Sequence, residues 1–388
     1  MLHNLVLFGA TGSIGTSALN VIRRNPDKFK IIGISAHSNF EKLAAIAREF
    51  HVRNIGIGNE KQFRAQYAQK LFPDDAQFFM GTNGNRELSR LPQADSIIMA
   101  IPGTEGILPT LDAIESGKTI MLASKEVLVA SGKIIIESAK KNNVLLLPID
   151  SEHNAIFQCL RDERKFLKKI ILTASGGPFR QYTHEQMAKV TVEQALIHPT
   201  WKMGKKITID SATMANKGFE MIEAKWLFGV QPSEIEVVIH PESIVHSFVE
   251  FCDGSILAQL NPHSMEYPIA NCLFYPERAH NNPPSINFKK NLSMNFTAPD
   301  FSRFPCLKIA NDCLKADDHS AAIFLAANDT AVQAFLSKKI RYLDIANVIA
   351  CTLDQYHPKY ENSVDSVLDV ISHAQAIAQT EIERRFKM

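Results

Sequence analysis

Six short runs within the first 150 residues are apolar from end to end: "NLVLFGA", "KIIGISA", "NIGIG", "SIIMAI", "TIMLAS" and "VLLLPID". Segments of helical periodicity, among them "SIGTSALNVIRRN" and "NFEKLAAIAREFH", separate them. A strand that is apolar on both sides has to be covered on both sides, and strands that alternate with helices pair in parallel. This pattern predicts a doubly wound α/β domain with a parallel sheet over residues 1–150.

A chain of 388 residues exceeds one ordinary core, given roughly 150 residues per domain. Beyond the first domain the strand candidates are "KKIILTAS", "KITIDSA", "EIEVVIH" and "SFVEFCDGSILAQL", with helix candidates "ANKGFEMIEAKWLFG" and "PIANCLFY". They predict a mixed α/β domain over 151–285. Pro- and Asn-rich residues then read as a linking arm over 286–311, and apolar residues at helical spacing predict a C-terminal helical bundle over 312–388.

A formal net charge of +1 argues against nucleic acid as a partner, because phosphate binding needs a basic face. No apolar run reaches the ~18 residues of a membrane span, and the N-terminus has no signal-peptide pattern, so a soluble cytoplasmic protein is expected. The six cysteines lack the spacing of a zinc site or a disulfide framework and are expected to be reduced.

The loop "GATGSIG" places Gly9, Gly12 and Gly15 directly after a buried strand and before a helix. Glycines there let the backbone turn sharply and approach a pyrophosphate, which the helix N-terminus stabilises. The first domain is therefore read as Rossmann-like and dinucleotide-binding. The second strand ends in "SAHSNFE" without the acid that an NAD site carries, so Ser35, His37, Ser38 and Asn39 are candidates to surround a 2′-phosphate. Ser38 or Asn39 also suits a helix cap, Ser38 together with Glu41 as a capping box.

Asp150 and Glu152 in "PIDSEH" would share a face if the strand continued, which calls for a cation, a proton or full solvation. Further on, Asn216, Glu220 and Glu223 fall at i, i+4 and i+7, on one helix face. Glu220 together with Asp150 and Glu152 would offer three oxygen ligands to a hard divalent ion. Taken singly, each acid suits a solvated surface as well. Ser175 in "ASGGPF", with Ser211, Asn216 and Lys217, suits a phosphate monoester, while turn-forming and capping account equally well for the serines. Trp201, between His198 and Met203, suits either a closing loop or a buried anchor.

The stretches "GATGSIG", "AIPGTEGILPTLDAIESGKTIMLASKE", "PIDSEHNAIFQCL", "ASGGPF", "HPTWKMGKKITIDSATMANKGFEMIEAKWLF", "HPESIVHS" and "PDFSRFPCLKIA" together closely resemble the 1-deoxy-D-xylulose 5-phosphate reductoisomerase family across essentially the whole chain. The resemblance implies an NADP-dependent oxidoreductase that uses NADPH and a divalent metal, Mg²⁺ or Mn²⁺. It would convert 1-deoxy-D-xylulose 5-phosphate into 2-C-methyl-D-erythritol 4-phosphate in non-mevalonate isoprenoid biosynthesis, by rearrangement to a branched aldehyde and hydride reduction. A homodimer is also implied. By the same resemblance Asp150, Glu152 and Glu220 are metal ligands, and Ser151, Ser175, His198, Ser211, Asn216 and Lys217 bind substrate. Glu152, His198, Lys217 and Glu220 are implied as catalytic, and Trp201 belongs to a loop closing over the site, with Met203 and Gly204 beside it. Thr11, Gly12, Ser13, Ile14, Ala100, Lys125 and Glu126 match cofactor-contacting positions, and Ser38, Asn39 and Gly204 are further cofactor candidates. Ser38 stands where some members carry lysine, and Ser124 where the family has asparagine. A metal-free NADP-linked dehydrogenase, or a protein that senses the dinucleotide without chemistry, would need neither set of acids.

Overall fold

The first strand, β1 (His3–Leu7), is central to a parallel sheet and ends at the glycine loop. Strands β2 (Phe29–Ala36), β3 (Asn54–Ile57) and β4 (Gln77–Met80) extend the sheet on one side of it; β5 (Ser96–Met99), β6 (Thr119–Leu122) and β7 (Leu146–Pro148) extend it on the other. The order is β4-β3-β2-β1-β5-β6-β7, with every pairing parallel. Leu5, Val6, Leu7, Ile97 and Ile98 are fully buried, as strands covered on both faces require. The chain runs outward from β1 in both directions, so the gap between the ends of β1 and β5 is the switch point where open α/β sheets bind ligands. β4 has no counterpart among the six apolar runs. Its four residues form the sheet edge and are half-buried or exposed, so they carry no continuous apolar signal.

The computed structural model describes residues 2–161, 163–201, 203–280, 284–289, 291–359 and 361–385. The chain forms two compact units: Met1–Val127, Ile135–Asn154 and Ser264–Ser285 in the first; Leu128–Ile134, Ala155–His263 and Ile286–Met388 in the second. Residues 264–285, expected with the mixed domain, fold with the parallel sheet instead. The reason lies in the helix Glu266–Phe274: Asn20 and Arg24 both donate to the Glu266 carboxylate, at 3.0 and 2.7 Å, and Phe274 meets Phe29 edge-on at 5.1 Å between ring centroids.

The second unit holds a mixed sheet of β8 (Leu167–Ala174), β9 (Ile235–Ile239), β10 (Val245–Phe251) and β11 (Ile256–Leu260), in the order β11-β10-β8-β9. β8 and β9 are parallel, whereas β10 is antiparallel to both β8 and β11. The same unit includes helices Pro305–Lys315, Asp318–Leu336, Asp344–Gln355 and Val364–Arg385. Proline occupies the first turn of the Pro305–Lys315 helix, where its missing N–H costs nothing, so the helix begins inside the stretch expected as an arm ending at 311. Lys290, within that arm, lies outside the described residues.

"KITIDSA" is helix, Lys205–Ala212, not strand. Its alternating β-branched residues read as a strand, but Asp210 accepts from Asn328 at 2.7 Å, Lys206 bonds Asp210 one turn away at 3.0 Å, and the Tyr342 hydroxyl donates to the Ala212 carbonyl at 2.6 Å. Tertiary partners override the local preference. The next helix, Ala215–Phe228, lies against Pro305–Lys315 at Gly218, where a Cβ would come within 2.3 Å of the Ala310 Cβ.

Helix propensity alone favours alanine over glycine in a helix interior by about 1 kcal/mol. Packing predicts the opposite here: Gly218→Ala is expected to destabilise by about 1–3 kcal/mol through overpacking, and adding Ala310→Gly should recover most of the loss. Thermal unfolding of the two variants checks this, and a higher midpoint for Gly218→Ala alone would refute the close approach.

Candidate active site

In the first unit the glycine loop has the backbone geometry that a pyrophosphate needs. Gly9 adopts φ +72°, and a Cβ on it would sit 2.2 Å from the Ala100 carbonyl oxygen beyond β5. This close approach explains how Ala100, distant in sequence, comes to border the loop. A Cβ on Gly15 would meet the carbonyl oxygens of Gly9 and Ala10 at 2.5 Å, so helix Ser13–Arg23 can pack against the strand end only with glycine there. Gly12 caps that helix without a side-chain bond, and Gly12 and Ser13 are exposed, with Thr11 and Ile14 half-buried. A helix N-terminus whose first residues are open to solvent suits a phosphate.

The tip of β2 differs in part from expectation. Ser35 is buried, its Oγ accepting from the Gly9 N–H at 3.3 Å, which makes it a support of the loop and not a surface contact. His37, Ser38 and Asn39 are exposed. Asn39 is the cap of helix Phe40–Glu49, accepting from the Lys42 N–H at 3.2 Å, and the capping box expected from Ser38 is not formed. The sequence reading missed Lys42, whose ammonium donates to the Thr11 carbonyl at 2.9 Å and lies 2.9 Å from the Thr16 hydroxyl.

After β7 the strand does not continue. Asp150 heads the helix Ser151–Leu160, its carbonyl accepting from the Asn154 N–H at 2.8 Å, and Glu152 lies in the first turn. The two acids are therefore not alternate residues of a strand; they gather at a helix N-terminus, whose unpaired amides favour negative charge. The Lys125 ammonium donates to Asp150, and His153 Nδ1 lies 3.2 Å from the same carboxylate oxygen. Burial opposes ionisation of Asp150, but Lys125 and His153 outweigh it and hold the carboxyl well below the usual range. The Ser151 hydroxyl donates to Glu152 at 2.6 Å. Ser124, just before Lys125 and Glu126, is buried and donates to the Ile101 carbonyl at 2.5 Å.

In the second unit "ASGGPF" leaves β8 through two glycines at φ +78° and +68°. A Cβ on Gly177 would meet the Ser211 carbonyl oxygen at 2.7 Å, so the turn lies directly on the Lys205–Ala212 helix. His198 joins the two: its Nε2 lies 3.2 Å from Ser175 Oγ and 3.1 Å from Ser211 Oγ, while Nδ1 accepts from the backbone N–H groups of Thr200 and Trp201 at 3.1 and 2.9 Å. Two donors on Nδ1 fix the proton on Nε2. Ser175 Oγ also accepts from the Gly177 N–H at 3.2 Å. Nε2 has one proton to share between the two serine oxygens and no lone pair to accept from them, so neither serine spends its own proton on the ring.

On the Ala215–Phe228 helix, Asn216 donates to Glu220 at 2.6 Å, and the Lys217 ammonium donates to the other Glu220 oxygen. Lys217, Glu220 and Glu223 are 5%, 1% and 4% exposed. Their placement starts at Met214, which enters the helix at φ +61°. The Trp201 ring lies 5.7 Å from His263 and 6.4 Å from His246 between centroids. Neither histidine was singled out from the sequence, although "HPESIVHS" contains His246. Met203 is half-buried, and Gly204 caps the Lys205–Ala212 helix beside open space. Among the assigned residues, Thr11 to Ile14, Ala100, Lys125, Glu126, Asp150, Ser151 and Glu152 belong to the first unit. Ser175, His198, Trp201, Gly204, Ser211, Asn216, Lys217 and Glu220 belong to the second.

Known proteins show the same organisation. A family model described as 1-deoxy-D-xylulose 5-phosphate reductoisomerase matches residues 5–132, and two models of that enzyme's C-terminal domains match 146–228 and 260–377. The 1-deoxy-D-xylulose 5-phosphate reductoisomerase of Thermoanaerobacter pseudethanolicus is 42% identical over 371 residues, 95% of this chain and 96% of the relative. The solved structure of the Zymomonas mobilis enzyme in complex with NADPH is 40% identical, with a TM-score of 0.91 over 99% of this chain and 100% of that one. A reductoisomerase crystallised with NADPH, fosmidomycin and magnesium gives a TM-score of 0.93 at 39% identity, covering 98% of each chain.

Burial, with a smaller contribution from the Arg180 charge, lowers the pKa of His198 from its ordinary 6.5 to about 4. An unfolded chain takes up this proton near 6.5 and the folded one only near 4, so the stability tied to the neutral ring is lost as pH falls between these values. A ring titration followed by NMR is expected to show a midpoint near 4; a midpoint near 6.5 would overturn the half-buried, neutral assignment.

Proposed function

The chain belongs to the 1-deoxy-D-xylulose 5-phosphate reductoisomerase family, and from that membership we propose how its residues divide the work. The activity is the NADPH- and divalent-metal-dependent conversion of 1-deoxy-D-xylulose 5-phosphate into 2-C-methyl-D-erythritol 4-phosphate in isoprenoid biosynthesis. The first unit is the NADPH-binding domain, with Thr11, Gly12, Ser13 and Ile14 at the pyrophosphate and Ser38, Asn39, Ala100, Lys125 and Glu126 as further contacts. On the family resemblance Gly204 is a further cofactor candidate. Asp150, Glu152 and Glu220 are the ligands of the divalent ion, magnesium or manganese. An all-carboxylate donor set suits such a hard cation.

When bound, the ion polarises the substrate's hydroxy-ketone oxygens, and NADPH supplies the hydride. The chain's own residues bind and orient. Ser175, Ser211, Asn216 and Lys217 take the phosphate, so that binding energy at the non-reacting end positions the carbon skeleton. His198 stays neutral at ordinary pH, which lets Nε2–H donate while Nδ1 keeps the Thr200–Trp201 backbone in place. Trp201 closes over the bound sugar phosphate and excludes water from the aldehyde. Ser151 contacts the substrate beside Glu152. The arrangement that most supports the phosphate assignment is the bonding of Ser175 and Ser211 to one imidazole, which leaves both hydroxyl protons for an anion. Among the described residues no helix is long and apolar enough to cross a membrane. We further propose a cytoplasmic homodimer, on the family resemblance.

The test follows NADPH absorbance with 1-deoxy-D-xylulose 5-phosphate after EDTA treatment, with Mg²⁺ or Mn²⁺ restored. Oxidation should require both substrate and metal. In Glu220→Gln the metal concentration for half-maximal rate should rise by about tenfold or more, and turnover should fall, as expected for loss of one buried charged partner. NADPH affinity should be retained. Unchanged kinetics in this variant would remove Glu220 from the ligand set.

A further inference from the structure

Lys42 is the third residue of helix Phe40–Glu49 after its Asn39 cap. A cation is disfavoured in a first turn, where the helix end is already positive. Glu41 shares that turn, but among the described residues Lys42 forms no ion pair, and its ammonium contacts two neutral groups, the Thr11 carbonyl and the Thr16 hydroxyl, each at 2.9 Å. Thr11 lies in the glycine loop and Thr16 in the first turn of the helix that follows, so the charge stands between that loop and the tip of β2. An ammonium has three N–H donors; two are directed at the loop and one remains. Residues 35–39, at the end of β2, contain no acid.

In dinucleotide-binding folds the adenosine ribose lies beside the tip of the second strand, where an acid takes the 2′-hydroxyl and a cation takes a 2′-phosphate. We propose that Lys42 is the specificity-determining residue that selects NADPH over NADH in this chain, a role that Ser38, lacking charge, does not fill. The proposal rests on the NADPH reading above and adds a residue to it. Its bonds to Thr11 and Thr16 position the ammonium in advance, and a 2′-phosphate supplies the ion pair that Glu41, in the same turn, does not form with it.

The test measures dissociation constants of NADPH and NADH for the full chain by fluorescence, in wild type, Lys42→Ala and Lys42→Arg, with circular dichroism to confirm folding. Lys42→Ala should weaken NADPH by about tenfold or more, the loss expected for one charged hydrogen bond, and leave NADH unchanged. Lys42→Arg should retain most of the preference. The wild-type advantage for NADPH should shrink with salt, because the pair is exposed. Unchanged NADPH affinity in Lys42→Ala overturns the proposal. So does an equal loss for both cofactors, which would make Lys42 a support of the loop. A wild-type chain that binds neither dinucleotide would overturn the NADPH reading itself.

Discussion

Two ammonium–carboxylate pairs, Lys125 with Asp150 and Lys217 with Glu220, hold the charged groups of the proposed site in place. A carboxylate removed from water is costly unless a positive charge and hydrogen bonds replace the solvent. In the second unit the sequence itself supplies the lysine, three residues from its acid on one helix; in the first, neighbouring strands of the parallel sheet bring Lys125 to Asp150. The surrounding architecture fixes these partners. Ser124 anchors the start of the Lys125 helix to the Ile101 carbonyl beyond β5, and Asn216 satisfies the second oxygen of Glu220.

The helices that carry the proposed substrate residues depend in turn on the C-terminal bundle. Asn328 on Asp210, Tyr342 on the Ala212 carbonyl and the Gly218–Ala310 contact tie the Lys205–Ala212 and Ala215–Phe228 helices to it within one unit. The bundle thus acts as a rigid backing for Ser211, Asn216, Lys217 and Glu220. Opposite Ser211, the paired glycines of the β8 turn bring Ser175 to the same imidazole. His198 links this rigid part to the Thr200–Trp201 backbone, because its two ring nitrogens bond in opposite directions.

Much of this was legible in the sequence because it is written in short-range terms. The apolar runs marked the buried parallel strands. "GATGSIG" marked a turn in which Gly9 and Gly15 are required by backbone approaches of 2.2 and 2.5 Å. The i, i+4, i+7 spacing placed Asn216, Glu220 and Glu223 on one helix. Other features were not legible. β4 is too short and too exposed to leave an apolar signature. "KITIDSA" has strand-like side chains but becomes helical through partners more than a hundred residues away. Whether the strand continued through Asp150 and Glu152 was left open by the local pattern, and they head a helix instead.

By itself, then, the sequence determined the parallel sheet, the glycine loop, the helix bearing Lys217 and Glu220, and a family resemblance over the whole chain. Each follows from periodicity or from residues adjacent along the backbone. Tertiary structure alone decided which unit residues 264–285 join, which serine supports the loop and which residues face solvent, and where Lys42 directs its charge. These depend on contacts between distant segments, where the free energy of burying one group is set by whatever group the fold brings against it.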